Sequence, residues 1–541
     1  MTPFTDTLIR RLSSQLWLAL RLCLTAALAL LLLSPAVYAA SAASNFTTEP
    51  CFIPGLSRHA QCYVLHRPLN AEPATTGKLA DSAQINSPAD TITDSSTGTS
   101  TSTDARLVAL GGIIAPAQAS TAAADPLVVL VGGPGQGASD LTATVLPMLN
   151  ALRNSRDIIF FDIRGTGRSA PLPCDSDFEP PPLTQLPSGR IANHIEQCLA
   201  SAGDITSYTS MNAVADLEAL RLAINAPQLN LWAVSYGTRL AQLYMRSYPQ
   251  QVRSAVLDAV VPFSPSYIER QPANALKALN TVVSDCAAST HCSNAFPDFN
   301  PLQLLDSLPE LQSISYRHPV TGLVIDTVTS RGAVAQLVFS ALYQSQTRAL
   351  IPWALSQAAS EDNWQPLAAL GLDNAHYLGI KTLYQGAHYA VVCSGELRRN
   401  PLPPTAAASD PFFRDYASQL MKTICADWPV TADVELLPPA NPAAASIPVL
   451  LLSGALDPIT PPSMAASTAL EFANNRHLII ARGGHMNSAK KCVRELIDDF
   501  IDDPDATLAQ QQFAQRCEQQ NYQQPFIVNR LGAIVHERRH D

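Results

Sequence analysis

Residues 229–248, LNLWAVSYGTRLAQLYMRSY, decide the fold. The run Leu229–Val234 is short and apolar, as a buried strand requires. From Thr238 onward apolar residues recur at helical spacing (Leu240, Leu243, Tyr244, Tyr248) and stop before Pro249. Between the two lies Ala233-Val234-Ser235-Tyr236-Gly237, a small-x-Ser-x-small turn. A strand passing so abruptly into a helix brings the two backbones into contact, and only small side chains fit at the flanks. This is the form of a nucleophile elbow, which lifts Ser235 above the edge of a sheet. The pentapeptide also arises by chance in long chains, and Ala233 stands where glycine is usual. The surrounding chain has to settle the reading.

Working back from the elbow, residues 212–224 form an amphipathic helix (Val214, Leu217, Leu220, Ile224) ending before Pro227. Residues 157–162 (DIIFFD) and 127–131 are apolar, β-branched runs expected of strands covered on both faces. Regular structure begins again at residues 107–115, and residues 62–65 look strand-like. Forward of the elbow, residues 254–261 supply the next strand. Residues 107–262 therefore alternate β and α at the spacing of a parallel, doubly wound sheet. After the 127–131 run comes Gly132-Gly133-Pro134-Gly135-Gln136-Gly137, whose backbone amides can approach a ligand without side-chain obstruction. A phosphate cradle is disfavoured because no G-K-[ST] ending follows. An oxyanion hole built by the Gly133 amide and the Tyr236 amide fits the order of elements. Arg164 and Asp162, flanking the glycine-marked exit of the 157–162 strand, are expected to form an ion pair that braces these loops.

The alternation breaks at residue 263. Residues 263–445 are Pro-rich and largely helical in pattern, which predicts a mainly helical cap inserted over the catalytic edge. Strand and helix patterns return at 447–453, 461–472, 477–481 and 492–502, followed by a Gln-rich tail. The expected organisation is a core from 40 to 262, a cap from 263 to 445, and the rest of the core with the tail from 446 to 541.

A serine hydroxyl needs a base, and the base needs an acid to fix its tautomer. In this fold those groups follow in the order Ser, Asp or Glu, His. Asp457 lies in G-A-L-D-P-I-T-P-P just past the 447–453 strand, and His485 in R-G-G-H just past the 477–481 strand. Open α/β sheets place their chemistry at such strand ends. Asp457-Pro458 taken alone is a turn signal, and a loop histidine taken alone is most often merely exposed. Ser235, Asp457 and His485 in this order form a candidate triad of a serine hydrolase. A serine at the elbow argues against the aspartate-nucleophile chemistries.

The 541 residues include 35 Lys plus Arg against 45 Asp plus Glu, a net charge of −10 without the basic clustering a nucleic-acid surface needs. Arg10, Arg11 and Arg21 precede the apolar run 22–33 and a small-x-small site around Ala39, which reads as a cleaved signal peptide, residues 1–39. The run is short for a bilayer span of about 20 residues, so no stable membrane association is expected after cleavage and the mature chain is placed in the periplasm or the medium. Residues 71–104 hold almost no large apolar side chain and are expected to be a flexible insertion. Of eleven cysteines, ten follow the signal segment and fall into neighbouring pairs: 51–62, 174–198, 286–292, 393–425 and 492–517. An even number in an exported chain points to disulfides, although sequence alone leaves their connectivity open. A metal site is disfavoured by the absence of C-x-x-C spacing.

Together GGPG, D-x-RGTGRS at 162–169, VSYGTRLA, GALDPITPP and GGH resemble the proline iminopeptidase and tripeptidyl aminopeptidase family of α/β-hydrolase serine peptidases. The likeness runs from about Cys51 to Cys492 and is nearest the exported, disulfide-bearing tripeptidyl aminopeptidase branch. It implies an α/β-hydrolase fold, peptide substrates, no cofactor, and hydrolysis of short N-terminal units by Ser235, Asp457 and His485, with Gly133 and Tyr236 at the oxyanion hole. Val131 replaces the histidine that many members carry before GGPG. The cap motif that binds the substrate's α-amino group in proline iminopeptidases is not recognisable here. Glu396, three residues after Cys393, resembles the acidic position after the cap cysteine in relatives; the alternative for it is a solvated surface glutamate. An esterase or lipase acting on acyl esters would carry the same triad.

Overall fold

The computed structural model describes residues 45–53, 60–69, 106–174, 183–185, 188–203, 205–263, 267–377, 383–396, 417–429, 438–505, 517 and 524–529. The expected signal peptide and the expected insertion at 71–104 lie outside these residues. Among the described residues no helix is long and apolar enough to cross a membrane.

Nine strands form one sheet: β1 (Phe46–Cys51), β2 (Ala60–Pro68), β3 (Leu107–Ala115), β4 (Leu127–Leu130), β5 (Ile158–Phe161), β6 (Leu229–Val234), β7 (Val252–Asp258), β10 (Val449–Gly454) and β11 (Asn475–Ile480). Their spatial order is β1-β2-β3-β5-β4-β6-β7-β10-β11. From β5 onward every pair is parallel. Strand β2 is antiparallel to both β1 and β3, and β3 is antiparallel to β5. Residues 107–115 are therefore not part of the parallel alternation expected for them. They close an antiparallel edge, which needs no helical crossover between its strands.

The central parallel strands are dominated by apolar residues because helices cover both faces. Every residue of β4, β5, β6 and β10 is buried. Helices Ser210–Ala223 and Tyr236–Ser247 put Leu217, Leu240 and Leu243 into one layer of the core. Helix Lys491–Asp502 puts Val493, Leu496 and Phe500 into the other. Both halves of the chain thus build one core.

The strand order also positions the site. From β4 the chain steps out to β5 and then returns to β6 on the opposite side of β4. The crevice beyond the C-terminal ends of β4 and β6 is a topological switch point, where open α/β sheets bind ligands.

Residues 263–445 run between β7 and β10. Helices Tyr267–Ala288, Arg331–Ala341, Ile351–Glu361 and Gln365–Tyr377 gather Leu279, Val334, Leu355 and Leu367 into an apolar cluster that Val261, Ile459 and Met464 also join. The stretch also contains an antiparallel hairpin that its largely helical pattern did not announce, β8 (Leu311–Arg317) with β9 (Val324–Ser330). Ile314 and Tyr316 face inward from β8 while their neighbours face solvent, so the hairpin buries only one side.

All five neighbouring cysteine pairs are disulfides, with Cα atoms 4.6 to 5.6 Å apart. Cys174–Cys198 and Cys393–Cys425 lie in one apolar cluster with Tyr389 and Trp428, where the inserted segment meets helix Ser188–Ala202.

Candidate active site

Ser235 occupies the single-residue turn between β6 and helix Tyr236–Ser247, with φ 54° and ψ −125°. A non-glycine residue there carries backbone strain of about 1–3 kcal/mol, which only surrounding structure can hold. The surroundings do so. The Ser235 N–H donates to the Asp258 carbonyl at 2.9 Å, and Thr238 Oγ1 donates to the Ser235 carbonyl at 2.6 Å while accepting from Val261 N at 2.9 Å. Gly237 sits against the carbonyl of Leu130, and any Cβ there would strike it. The small residue two positions after the serine is thus explained by contact with β4.

Because β4 pairs with β6 (Leu130 opposite Ala233), the glycine loop leaving β4 lies beside the elbow. A Cβ added to Gly132 would stand 3.0 Å from the Ser235 Cβ. Gly132, Gly133, Ser235 and His485 line one cavity of about 380 Å³. Trp232, Val145, Met148 and Met486 form part of its wall from the core. Tyr267, Phe339, Tyr343, Leu383 and Met421 close it from the inserted segment.

Asp457 and His485 follow the adjacent parallel strands β10 and β11. His485 Nδ1 lies 2.9 Å from Asp457 Oδ2. Asp457 Oδ1 accepts from the amides of Ile459 and Thr460 at 2.8 and 2.9 Å, and Oδ2 accepts from Thr460 Oγ1 at 2.7 Å. Both side chains are buried. Burial by itself would raise the Asp457 pKa, but the His485 charge and these hydrogen bonds outweigh it and the carboxyl titrates below its usual range. For His485 burial lowers the pKa, the neighbouring Asp457 carboxylate outweighs burial, and the net direction is upward. Asp457 is therefore an anion that holds Nδ1 protonated, leaving Nε2 as the basic nitrogen.

Asp258, at the end of β7, is a second buried carboxylate behind the histidine loop. Its Oδ2 accepts from Asn487 N, Ser488 N and Ser488 Oγ at 2.7, 2.7 and 2.6 Å. Burial pushes its pKa up, and its charge adds to the upward shift of His485.

Of the residues singled out in the sequence, Ser235, Gly133 and His485 come together in the cavity, with Asp457 behind His485. Tyr236 begins the elbow helix, and its buried hydroxyl donates to Ser210 Oγ at 2.8 Å. Glu396 ends the π-helical turn Val392–Glu396, and its side chain lies outside those described. The expected Asp162–Arg164 ion pair does not form. Arg164 binds both oxygens of Asp216 at 2.8 Å, and Asp162 accepts from Ser139 N, Ser139 Oγ and Arg168 N. The two side chains leave their strand end in different directions, so each serves a different loop.

Sequence reasoning missed Asp258, Thr460 and the inserted residues Tyr343, Gln344 and His388. Thr460 had a signal, since Asp followed by a hydroxyl residue three positions on is a turn that bonds to itself. His388 Nδ1 lies 2.8 Å from the Pro134 carbonyl, and no local pattern links it to a loop so distant in the chain. Among the described residues no group of His, Cys, Asp and Glu could hold a metal ion.

Residues 125–309 match the family model described as alpha/beta hydrolase fold, and residues 410–510 match one described as TAP-like protein. Serine protease Hip1 of Mycobacterium tuberculosis is 30% identical over 185 residues, covering 31% of this chain and 36% of that protein. The match thus spans little more than a third of that relative's length. A tripeptidyl aminopeptidase of Streptomyces coelicolor is 26% identical over 406 residues, covering 70% of this chain and 73% of that enzyme. A proline iminopeptidase of Xylella fastidiosa is 27% identical over 140 residues, 25% of this chain and 32% of that enzyme.

Proposed function

Because this chain belongs to the α/β-hydrolase family, among relatives of the tripeptidyl aminopeptidases and proline iminopeptidases, we propose that it is a serine peptidase releasing short N-terminal units from peptides. The observation that carries the reading is the convergence of three strand ends on one cavity. Ser235 stands on a strained turn, His485 lines the same cavity, and Asp457 is bonded to the far nitrogen of that histidine.

In this mechanism Ser235 Oγ attacks the scissile carbonyl carbon as its proton passes to His485 Nε2. Asp457 stabilises the imidazolium so formed and keeps its tautomer. The amides of Gly133 and Tyr236 receive the oxyanion; one such donor is typically worth about a hundred- to thousandfold in turnover. His485 then protonates the leaving amine, and the acyl-enzyme is cleared by water that His485 deprotonates. Residues 263–445 act as a cap, limiting access to chain ends and short peptides. Glu396 is the proposed anchor of the substrate's α-ammonium. Export to the periplasm or medium is supported by the five disulfides.

A second reading, an esterase for acyl esters, is favoured by the apolar wall of the cavity (Trp232, Met148, Phe339, Met421). Release kinetics separate the two. Aminoacyl-, prolyl- and tripeptidyl-arylamides are compared with their N-acetylated forms and a p-nitrophenyl ester, using Ser235→Ala as the blank. Cleavage of free-amine amides but not acetylated ones is expected. Turnover of the ester alone would replace the peptidase reading with the esterase one.

A further inference from the structure

The loop that carries His485 is held as much by the inserted segment as by the sheet. The turn at residues 342–348, after helix Arg331–Ala341, reaches across to both catalytic loops. The Tyr343 carbonyl accepts the His485 N–H at 2.9 Å, and Gln344 Nε2 donates to the His485 carbonyl at 3.0 Å. Both backbone polar groups of the histidine are thus satisfied from the same two residues. The Tyr343 ring meets the imidazole edge-on, with centroids 5.2 Å apart. Gly484 is packed so closely on the Tyr343 carbonyl that a Cβ could not be added. Four residues on, the buried Arg348 bridges the turn to the acid loop, donating from Nη2 to the Leu342 carbonyl at 3.1 Å and the Leu456 carbonyl at 3.4 Å.

An access lid does not need these bonds. A lid restricts entry by covering the cavity, which the apolar faces of Tyr267, Phe339 and Leu383 already do. Hydrogen bonds to the main chain of the general base fix where its ring lies, and displacement of a catalytic group by about 1 Å can cost about a hundredfold in rate. We propose that the 342–348 turn is part of the catalytic support, with Gln344 a positioning residue for His485. This rests on the triad assigned under the proposed function. Gln344 acts through the His485 carbonyl and touches no reacting atom.

The two roles differ on a substrate too small to need the lid. Gln344→Met keeps the length of the side chain and removes the donor, and Gln344→Ala removes both. Each is measured on p-nitrophenyl acetate and on the best peptide arylamide, with thermal unfolding and the rate of labelling by a serine-directed phosphonate. The expected result is a kcat lower by about tenfold on both substrates, with KM and the unfolding midpoint little changed. Phosphonate labelling should slow in step, because the reagent also needs His485 as base. Small-ester turnover equal to or faster than that of the unaltered enzyme would overturn the proposal and leave the turn as lid alone. A loss on both substrates matched by a large fall in the unfolding midpoint of both variants would also overturn it, in favour of a purely structural turn. Absence of ester turnover, amide turnover and labelling in the unaltered enzyme would instead sink the triad assignment itself.

Discussion

At the scale of single residues, the chemistry turns on which proton sits where. His485 must be neutral at Nε2 to take the serine proton, and its pKa lies above the ordinary value of 6.5 because the Asp457 carboxylate, helped by Asp258, outweighs burial. A raised base pKa means the competent form is lost as pH falls through that value. The rate kcat/KM should therefore climb with pH through an apparent pKa above 6.5. Asp457→Asn removes the charge responsible, so the acid limb should move to lower pH. The substitution also frees Nδ1 from its required tautomer, and a fall of about 10⁴-fold in kcat is expected. A pH profile whose acid limb does not move in that variant would show that Asp457 is not what holds the proton. Asp258→Asn keeps an acceptor for the loop amides and should give a smaller shift in the same direction, with a much smaller loss of rate.

At the scale of elements, the polar joints between strand ends and helices decide how rigid the catalytic edge is. Arg164, leaving β5, pairs bidentately with Asp216 of helix Ser210–Ala223, and both side chains are essentially fully buried. Arg164 Nη1 also donates to the carbonyls of Leu69 and Ser207, so one guanidinium joins the antiparallel edge to the helix that leads into the elbow strand. Removing Arg164 takes away both short bonds to the buried Asp216 carboxylate and leaves it only the more distant, partly exposed Arg67 at 3.7 Å. Arg164→Met should cost about 3–5 kcal/mol, read as a fall in the denaturant midpoint, whereas the double change with Asp216→Leu should recover much of it. A double variant no better than the single would mean that the carbonyl contacts, not the charge, dominate. This joint marks a limit of sequence reading. The strands were legible because burial on both faces demands continuous apolar runs, and the elbow because its packing on β4 demands small residues. Arg164's choice of Asp216 over Asp162 depends on how two elements cross, and no local spacing encodes that. The β8–β9 hairpin is the opposite case. Ile314 and Tyr316 alternate with polar residues, and Pro319 and Gly322 mark the turn, but a two-stranded pattern inside a helical stretch is too short to stand out.

At the scale of the whole molecule, the cavity has two walls whose chain segments are far apart in sequence. That is why the sheet edge of the candidate site could be read from motifs while the inserted wall could not. Strand ends carry their residues in a fixed order, but Tyr343, His388 and Met421 reach the cavity only through the tertiary packing of residues 263–445. Cys393–Cys425 joins two pieces of that wall, linking the turn after helix Gln385–Val391, which bears His388, to helix Ala417–Asp427, which bears Met421. The bond closes a loop with a sequence separation of 32 residues, a length at which a disulfide contributes about 2–4 kcal/mol. Cys393→Ser with Cys425→Ser should therefore lower the unfolding midpoint and let the inserted wall move away from the sheet edge. His485, held from the separate turn at 342–348, should keep its place. The expected signature is a raised KM for peptide arylamides with nearly unchanged kcat on a small ester, the reverse of the pattern expected for Gln344→Met. Equal losses of kcat on both substrates would mean that the inserted segment responds as one rigid unit, and that its two contacts with the catalytic edge cannot be separated.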